Sequence, residues 1–185
     1  MNKGVVIALA VIAAVCVVVG VTYNGIITKH ETITAKWAQV ENKLQRRNDL
    51  IPNLVNSVKG YAAHEKTVLE NVTKARSQWA AAGNIDQKIG AASAMDSALA
   101  RLMVVVENYP TLKADQTFMK LMDELSGTEN RIAVERMRYN DAVMAYNVAV
   151  RRVPGNIVAA IFGYKPATAY FKAQEGAEKV PEVKF

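Results

Sequence analysis

From Gly4 to Val21 the chain reads GVVIALAVIAAVCVVVGV, and no charged residue occurs between Lys3 and Lys29. A helix over residues 4–27 would measure ~36 Å, enough to cross a hydrocarbon core of ~30 Å with some tilt. The run passes through Val17, Val18, Val19 and Val21 without a small-residue cleavage site, so it is expected to stay attached as a single-pass anchor. Tyr23 stands where an interfacial aromatic belongs. Lys3 and the terminal amine oppose Lys29 and Lys36, a near tie that favours neither orientation. Ala10 with Ala14, and Cys16 with Gly20, have small-xxx-small spacing, which arises often by chance in so uniform a run.

Beyond the apolar run the pattern changes to a stepping by four and three: Ile33, Trp37, Val40, Leu44, then Ile51 after the polar Arg47. That is a heptad seam on a helix continuing out of the bilayer. The stepping resumes at Leu54, Val58, Tyr61, Val68, Val72, Ala75 and Trp79, missing only Glu65. Pro52 lacks a backbone donor and is expected to kink this helix or start a new turn. Gly83-Asn84 supplies a stop, and Asp86 an acidic first turn for a helix over 85–108 that presents Ile89, Ala92, Met95, Leu99, Leu102 and Val106. Tyr109-Pro110 ends it, because the residue before proline disfavours helical geometry.

Leu112, Phe118, Leu121 and Leu125 form a third series, interrupted at Ser126-Gly127-Thr128-Glu129, where Ser126 and Glu129 have capping-box spacing. The last series is Ile132, Tyr139, Ala142, Tyr146, Ala149 and Val153, stopped by Pro154-Gly155. Reversals at Gly83, Pro110 and Gly127 fold these segments into a bundle; the alternative is one kinked helix through Gly127 that overhangs it. The expected fold is all-α, an N-terminal transmembrane helix continuing into an antiparallel up-and-down four-helix bundle. The expected organisation is an anchor over 1–28, a helical stalk over 29–50, the bundle over 51–153, and an apolar segment with a polar tail over 154–185.

In this layout Ile33, Trp37, Val40 and Leu44 form an exposed stripe on the stalk, a surface for a partner helix. Arg46 and Arg47 fall at the level of Arg151 and Arg152, making a rim of charge or a binding collar. The segment IVAAIFGY, residues 157–164, is too short to span a membrane. It is expected to cap the open end of its own bundle, the other roles being to lie in a membrane interface or to cover a neighbouring chain.

Composition and chemistry narrow the functions. The 185 residues are 51% hydrophobic and 7% aromatic, with a net charge of +6 in which both signs are interleaved. No basic stripe with stacking aromatics points to nucleic acid. Cys16, the one cysteine, lies in the apolar run, so neither an intrachain disulfide nor a zinc spacing exists, and Val15 before it disfavours a lipidation signal. His30-Glu31 and His64-Glu65 lack the second histidine of a zinc-protease helix, and Gly60, Gly83, Gly90 and Gly127 stand singly, so no phosphate loop or nucleophile elbow is formed. Arg47, Glu65 and Glu135 interrupt apolar seams, where polar residues usually fix register or reach solvent. No catalytic residue, cofactor or metal site is expected.

The segments QRRNDLIPNLVNSVKGYAAHE (45–65), VTKAR (72–76), ENYPTLKA (107–114), ELSGTENRI (124–132), RYN (138–140), YN (146–147), VPGN (153–156) and FGY (162–164), with Tyr23-Asn24 after the apolar run, resemble the bacterial LemA family. The resemblance runs from about residue 4 to Phe171. It implies a membrane-anchored, up-and-down helical bundle and carries no established reaction or catalytic residues; some relatives are tied to membrane organelle biogenesis in magnetic bacteria. The functional expectation is a non-enzymatic scaffold of the bacterial cytoplasmic (inner) membrane, single-pass, acting as a homo-oligomer, its expected partners being the lipid bilayer and further copies of itself. The alternatives are a tethered adaptor recruiting a different protein through Arg46, Arg47, Arg151 and Arg152, and an enzyme with a polar site of Arg47, His64, Glu65 and Glu135.

Overall fold

A computed structural model describes residues 2–62 and 64–172 of the chain. Its elements are α1 (Lys3–Lys59), α2 (Lys66–Ala81), α3 (Ile85–Val106), the single turn α4 (Pro110–Lys113), α5 (Gln116–Arg151) and α6 (Gly155–Phe162). The described residues contain no strand. They form two compact units, residues 41–136 with 169–172, and residues 2–40 with 137–168. The polar tail expected at the C-terminal end lies outside the described residues from 173 onward.

In the 41–136 unit, the end of α1, α2, α3 and the start of α5 make an all-α, antiparallel up-and-down four-helix bundle. Short connections return each helix on its predecessor. Its core takes Ile51, Leu54 and Val58 from α1, Leu69, Val72 and Ala75 from α2, Met95, Leu99 and Leu102 from α3, Leu112 from α4, and Phe118 and Leu125 from α5. Asn84 caps α3 as its position suggests, its Oδ1 accepting from Gln87 N at 2.9 Å. Pro110 takes the first turn of α4, where its missing donor costs nothing.

The reversals differ from the expected set. The chain turns between α1 and α2 from Gly60, with the amides of Tyr61 and Ala62 both donating to Val58 O. The four-three stepping masks this turn because both helices face one core. Gly127, by contrast, lies inside an uninterrupted α5. The capping box is not formed: Thr128 Oγ1 donates to Glu124 O within the helix at 2.7 Å, and Glu129 is drawn to Arg47. Pro52 also stays inside α1, neither ending it nor starting a new one.

The 2–40 unit pairs α1 with the second half of α5. Trp37 meets Tyr139 edge to face at 5.5 Å, and seven residues away on each helix His30 meets Tyr146 at 5.5 Å, an antiparallel register. Ile33, Trp37 and Val40 are thereby buried, along with Ile26, Val143 and Val150, and Leu44 is buried in the bundle unit. Ile33, Trp37 and Val40, expected on a bare stalk, are therefore covered by the chain's own helices, because the second half of α5 supplies the missing partner. Residues 4–18 of α1 are exposed throughout, with Val17 64% exposed.

Past α5 a cis Val153–Pro154 bond leads into α6, which Gly163 ends in the left-handed conformation at φ 77°. This αL residue is the usual helix stop for which glycine bears no side-chain penalty. Residues 164–172 then carry no regular structure.

Candidate functional site

The most polar interior feature belongs to the bundle. Arg47 is only 2% exposed, an arginine on an apolar seam, and its guanidinium is answered by acids from two other helices. Nη1 donates to Asp96 Oδ1 on α3 at 2.5 Å and to Glu129 Oε1 on α5 at 3.1 Å, while Nη2 reaches Ala92 O at 3.4 Å. Arg136 closes the group, its Nη1 donating to Asp96 Oδ2 at 2.9 Å. Two guanidinium groups thus face two carboxylates. Burying one charge alone would cost several kcal/mol, on the order of 3–5 when a partner is lost, so the group is stable only as a set. The planar fork of arginine suits this bridging better than an ammonium would. Phe171 lies under Arg136, ring centroid to Cζ 4.9 Å, in a cation–π arrangement.

Beside this group an open groove of about 430 Å³ runs between α3 and α5, lined by Leu99, Met103, Met122 and Leu125 with Asp96 and Glu129 at its polar end. Both acids are already engaged by guanidinium groups. Ser126 also lines this end of the groove, and the paired charges hold the helices together.

At the turn between α1 and α2, Tyr61 donates its hydroxyl to Asp115 Oδ2 at 3.0 Å, and Asp115 Oδ1 accepts from Phe118 N at 2.8 Å, capping α5. The backbone amide of Phe118, then the Tyr61 hydroxyl, hold the Asp115 carboxyl below its usual range, and the same carboxylate raises the Tyr61 phenol. Nearby, Tyr109 donates to Glu65 Oε1 at 3.2 Å, and desolvation followed by that bond raises its phenol.

In the other unit, the chain after α6 is clamped onto α5. The Asn147 side chain bonds both sides of Ala167, Nδ2 to the carbonyl and Oδ1 to the amide, each at 2.8 Å. Tyr146 Oη donates to Lys165 O at 2.9 Å. Burial, then the neighbouring Tyr164, raise the Tyr146 phenol.

The expected site residues disperse. Arg46 pairs with Glu124 at 3.6 Å and Arg47 is sealed in the bundle, both in the 41–136 unit. Arg151 and Arg152, exposed at the end of α5, belong to the other unit. The collar reading took a reversal at Gly127, where α5 instead continues. Of the polar candidates for a catalytic site, His64 is exposed, Glu65 is taken by Tyr109, and Glu135 is half-buried. Among the described residues no three His, Cys, Asp or Glu side chains are placed to hold a metal ion. Asp96 and Arg136 escaped the sequence reading, and Asn147 entered it only within the YN motif. The only signal of the first two was a polar residue bordering an apolar seam, and Asp96 lies 49 positions from Arg47.

The profile of the LemA family matches residues 36–185 of the chain. Magnetosome protein MamQ 2 of Paramagnetospirillum magneticum is 31% identical over 96% of this chain and 76% of its own length. Magnetosome protein MamQ of Magnetospirillum gryphiswaldense is 29% identical over 83% of this chain and 66% of its own. Protein LemA of Metamycoplasma hominis is 28% identical over 62% and 53%. The chain belongs to the LemA family.

Proposed function

We propose that this LemA-family protein is a non-enzymatic scaffold held in the bacterial cytoplasmic membrane by one span and acting through self-association. The observation that carries the reading is the stretch 4–18 of α1, uncharged and uncovered by any described residue, whose natural solvent is a bilayer. The helix α3 is also long and apolar enough to span, but its Ala92, Met95, Leu99 and Leu102 are bundle core. That supports a single pass. The magnetosome proteins it resembles support a role in membrane organisation.

Because Ile33, Trp37, Val40 and Leu44 are spent inside the chain, the self-association surface is moved to the outer face of α5. There Met137, Met144 and Val148 are about half exposed and step with Asp141 by four, three and four. This is the heptad spacing that suits a helix of a second copy. Confinement to two dimensions raises the effective concentration of such copies.

Light scattering of the full chain in lipid nanodiscs and in detergent tests it. The protein is expected as an oligomer that Met144→Glu with Val148→Glu dissociates while helicity is kept. Trp37→Asp should instead lower helicity, since it strikes a buried ring pair. A wild-type protein that is strictly monomeric sinks the scaffold reading; a monomer that binds a different protein in fixed ratio favours the adaptor. Loss of a cellular phenotype in Glu65→Gln or His64→Ala at unchanged protein level and helicity would favour an enzyme.

A further inference from the structure

The helix α6 is uncharged from end to end, and only one of its faces is used by the protein. Gly155, Val158 and Ala159 are buried, whereas Ile157 is 57%, Ile161 67% and Phe162 50% exposed. Val153, just before the helix, is 73% exposed. Ile157 and Ile161, four apart, share the outward face, whereas Phe162 falls on the side of Gly155, Val158 and Ala159; with Val153 before it, that outward face is apolar surface that water would disfavour.

Its position in the 2–40 unit is specific. At one end of α6 a methyl group added to Gly155 would come within 4.0 Å of the Thr22 methyl, and at the other the Phe162 ring meets Tyr23 at 4.4 Å, tilted by 44°. Both contacts fall just after the exposed apolar stretch of α1, which ends at Val21, and Tyr164, two residues past Phe162, also meets the His30 ring at 6.0 Å. Basic side chains flank the apolar face in sequence: Arg151 and Arg152 before it, Lys165 after it.

We propose that α6 lies in the membrane interface, with Ile157 and Ile161 in the boundary between headgroups and acyl chains, and that the occupant of this face is an anionic bilayer surface. The inference rests on the reading of residues 4–18 as a bilayer span. The contacts with Thr22 and Tyr23 hold α6 at the end of that lipid-facing stretch, where the headgroup boundary falls. Such helices bury an apolar face about 5–10 Å deep and gain from cations toward anionic headgroups. Tyr23 and Tyr164, 6.2 Å apart beside Phe162, add the interfacial aromatics that such a depth favours.

The native Cys16 separates failure of this proposal from failure of the span. In full-length protein reconstituted into phosphatidylcholine–phosphatidylglycerol vesicles, an environment-sensitive fluorophore on Cys16 reports the span. The same fluorophore on Ile161→Cys, in a Cys16→Ala background, reports α6. The expected result at 161 is a blue-shifted emission that brominated lipid quenches and aqueous iodide does not. Quenching by iodide at 161 while the Cys16 label stays lipid-accessible overturns the proposal. Shielding of 161 from both quenchers also overturns it, since a second copy then covers the helix. Iodide quenching at Cys16 refutes the span itself.

Discussion

The side-chain Nε of Arg76 donates to the main-chain carbonyl of Asn48, 3.3 Å away. That carbonyl is the acceptor a residue at 52 would fill in an unbroken helix, and residue 52 is proline. A donor from α2 thus replaces the one Pro52 lacks, which helps α1 continue through it. Removing the donor in Arg76→Leu is expected to cost about 1–2 kcal/mol. Pro52→Ala restores the intrahelical donor and is expected to stabilise. In its presence Arg76→Leu should cost less. Thermal unfolding of the four proteins in detergent, followed by circular dichroism, measures this coupling directly; additive effects would remove it.

Arg47 is expected to be the most sensitive single charge in the bundle. Arg47→Met leaves Asp96 with Arg136 alone and Glu129, 38% exposed and so partly solvated, without its guanidinium, at a cost of about 1–3 kcal/mol. Arg47→Lys keeps the charge but loses the fork, and should fall between that variant and the wild type. Denaturant midpoints with unchanged slopes check the order.

Asp115 gives stability a defined pH dependence. Its folded carboxyl lies below the ordinary value of 3.8, so the folded form binds its proton less readily than the unfolded one. The stabilisation is therefore fully present above the unfolded value and is lost as pH falls through the folded value. Asp115→Asn keeps a capping oxygen but not the charge. Its melting temperature should fall less than that of the wild type between about pH 5 and pH 3, a window bracketing the ordinary aspartate value. Parallel slopes would refute the assignment.

Two glycines should respond oppositely to alanine. A methyl group at Gly155 would overlap the Ala149 carbonyl oxygen, so Gly155→Ala should destabilise by about 1–3 kcal/mol and loosen α6 from Thr22. At Gly127 nothing lies within 4 Å of the added carbon and the residue is mid-helix, so Gly127→Ala should stabilise by about 0.5–1 kcal/mol. Were 127 a reversal needing glycine, the sign would invert. Melting temperatures of both variants settle it.

The local features of this fold were legible from residues close together in the chain. An uncharged run bracketed by Lys3 and Lys29 declares its solvent by itself, and the stepping from Ile33 to Val153 declares helices. Gly83-Asn84 and Tyr109-Pro110 act on backbone geometry within a few residues, and the structure turns there. Gly60 carried a comparable signal, but the apolar stepping ran across it undisturbed.

What covers a buried face is a different matter, because periodicity says that a face is covered and not by what. Ile33, Trp37 and Val40 needed the far half of α5, and that half existed as a cover only if Gly127 stayed helical. Glu129 had a local role open to it in a capping box and a distant one at Arg47, 82 positions away. A buried guanidinium requires a carboxylate more strongly than a helix start requires a cap, so the distant role prevailed once folding brought α1, α3 and α5 together. The sequence by itself determined the membrane-seeking segment, the helical class and the family. The tertiary structure alone decided which helix covers the α1 seam, where the charges pair and where α6 lies, since each depends on energies between groups that only the folded chain makes neighbours.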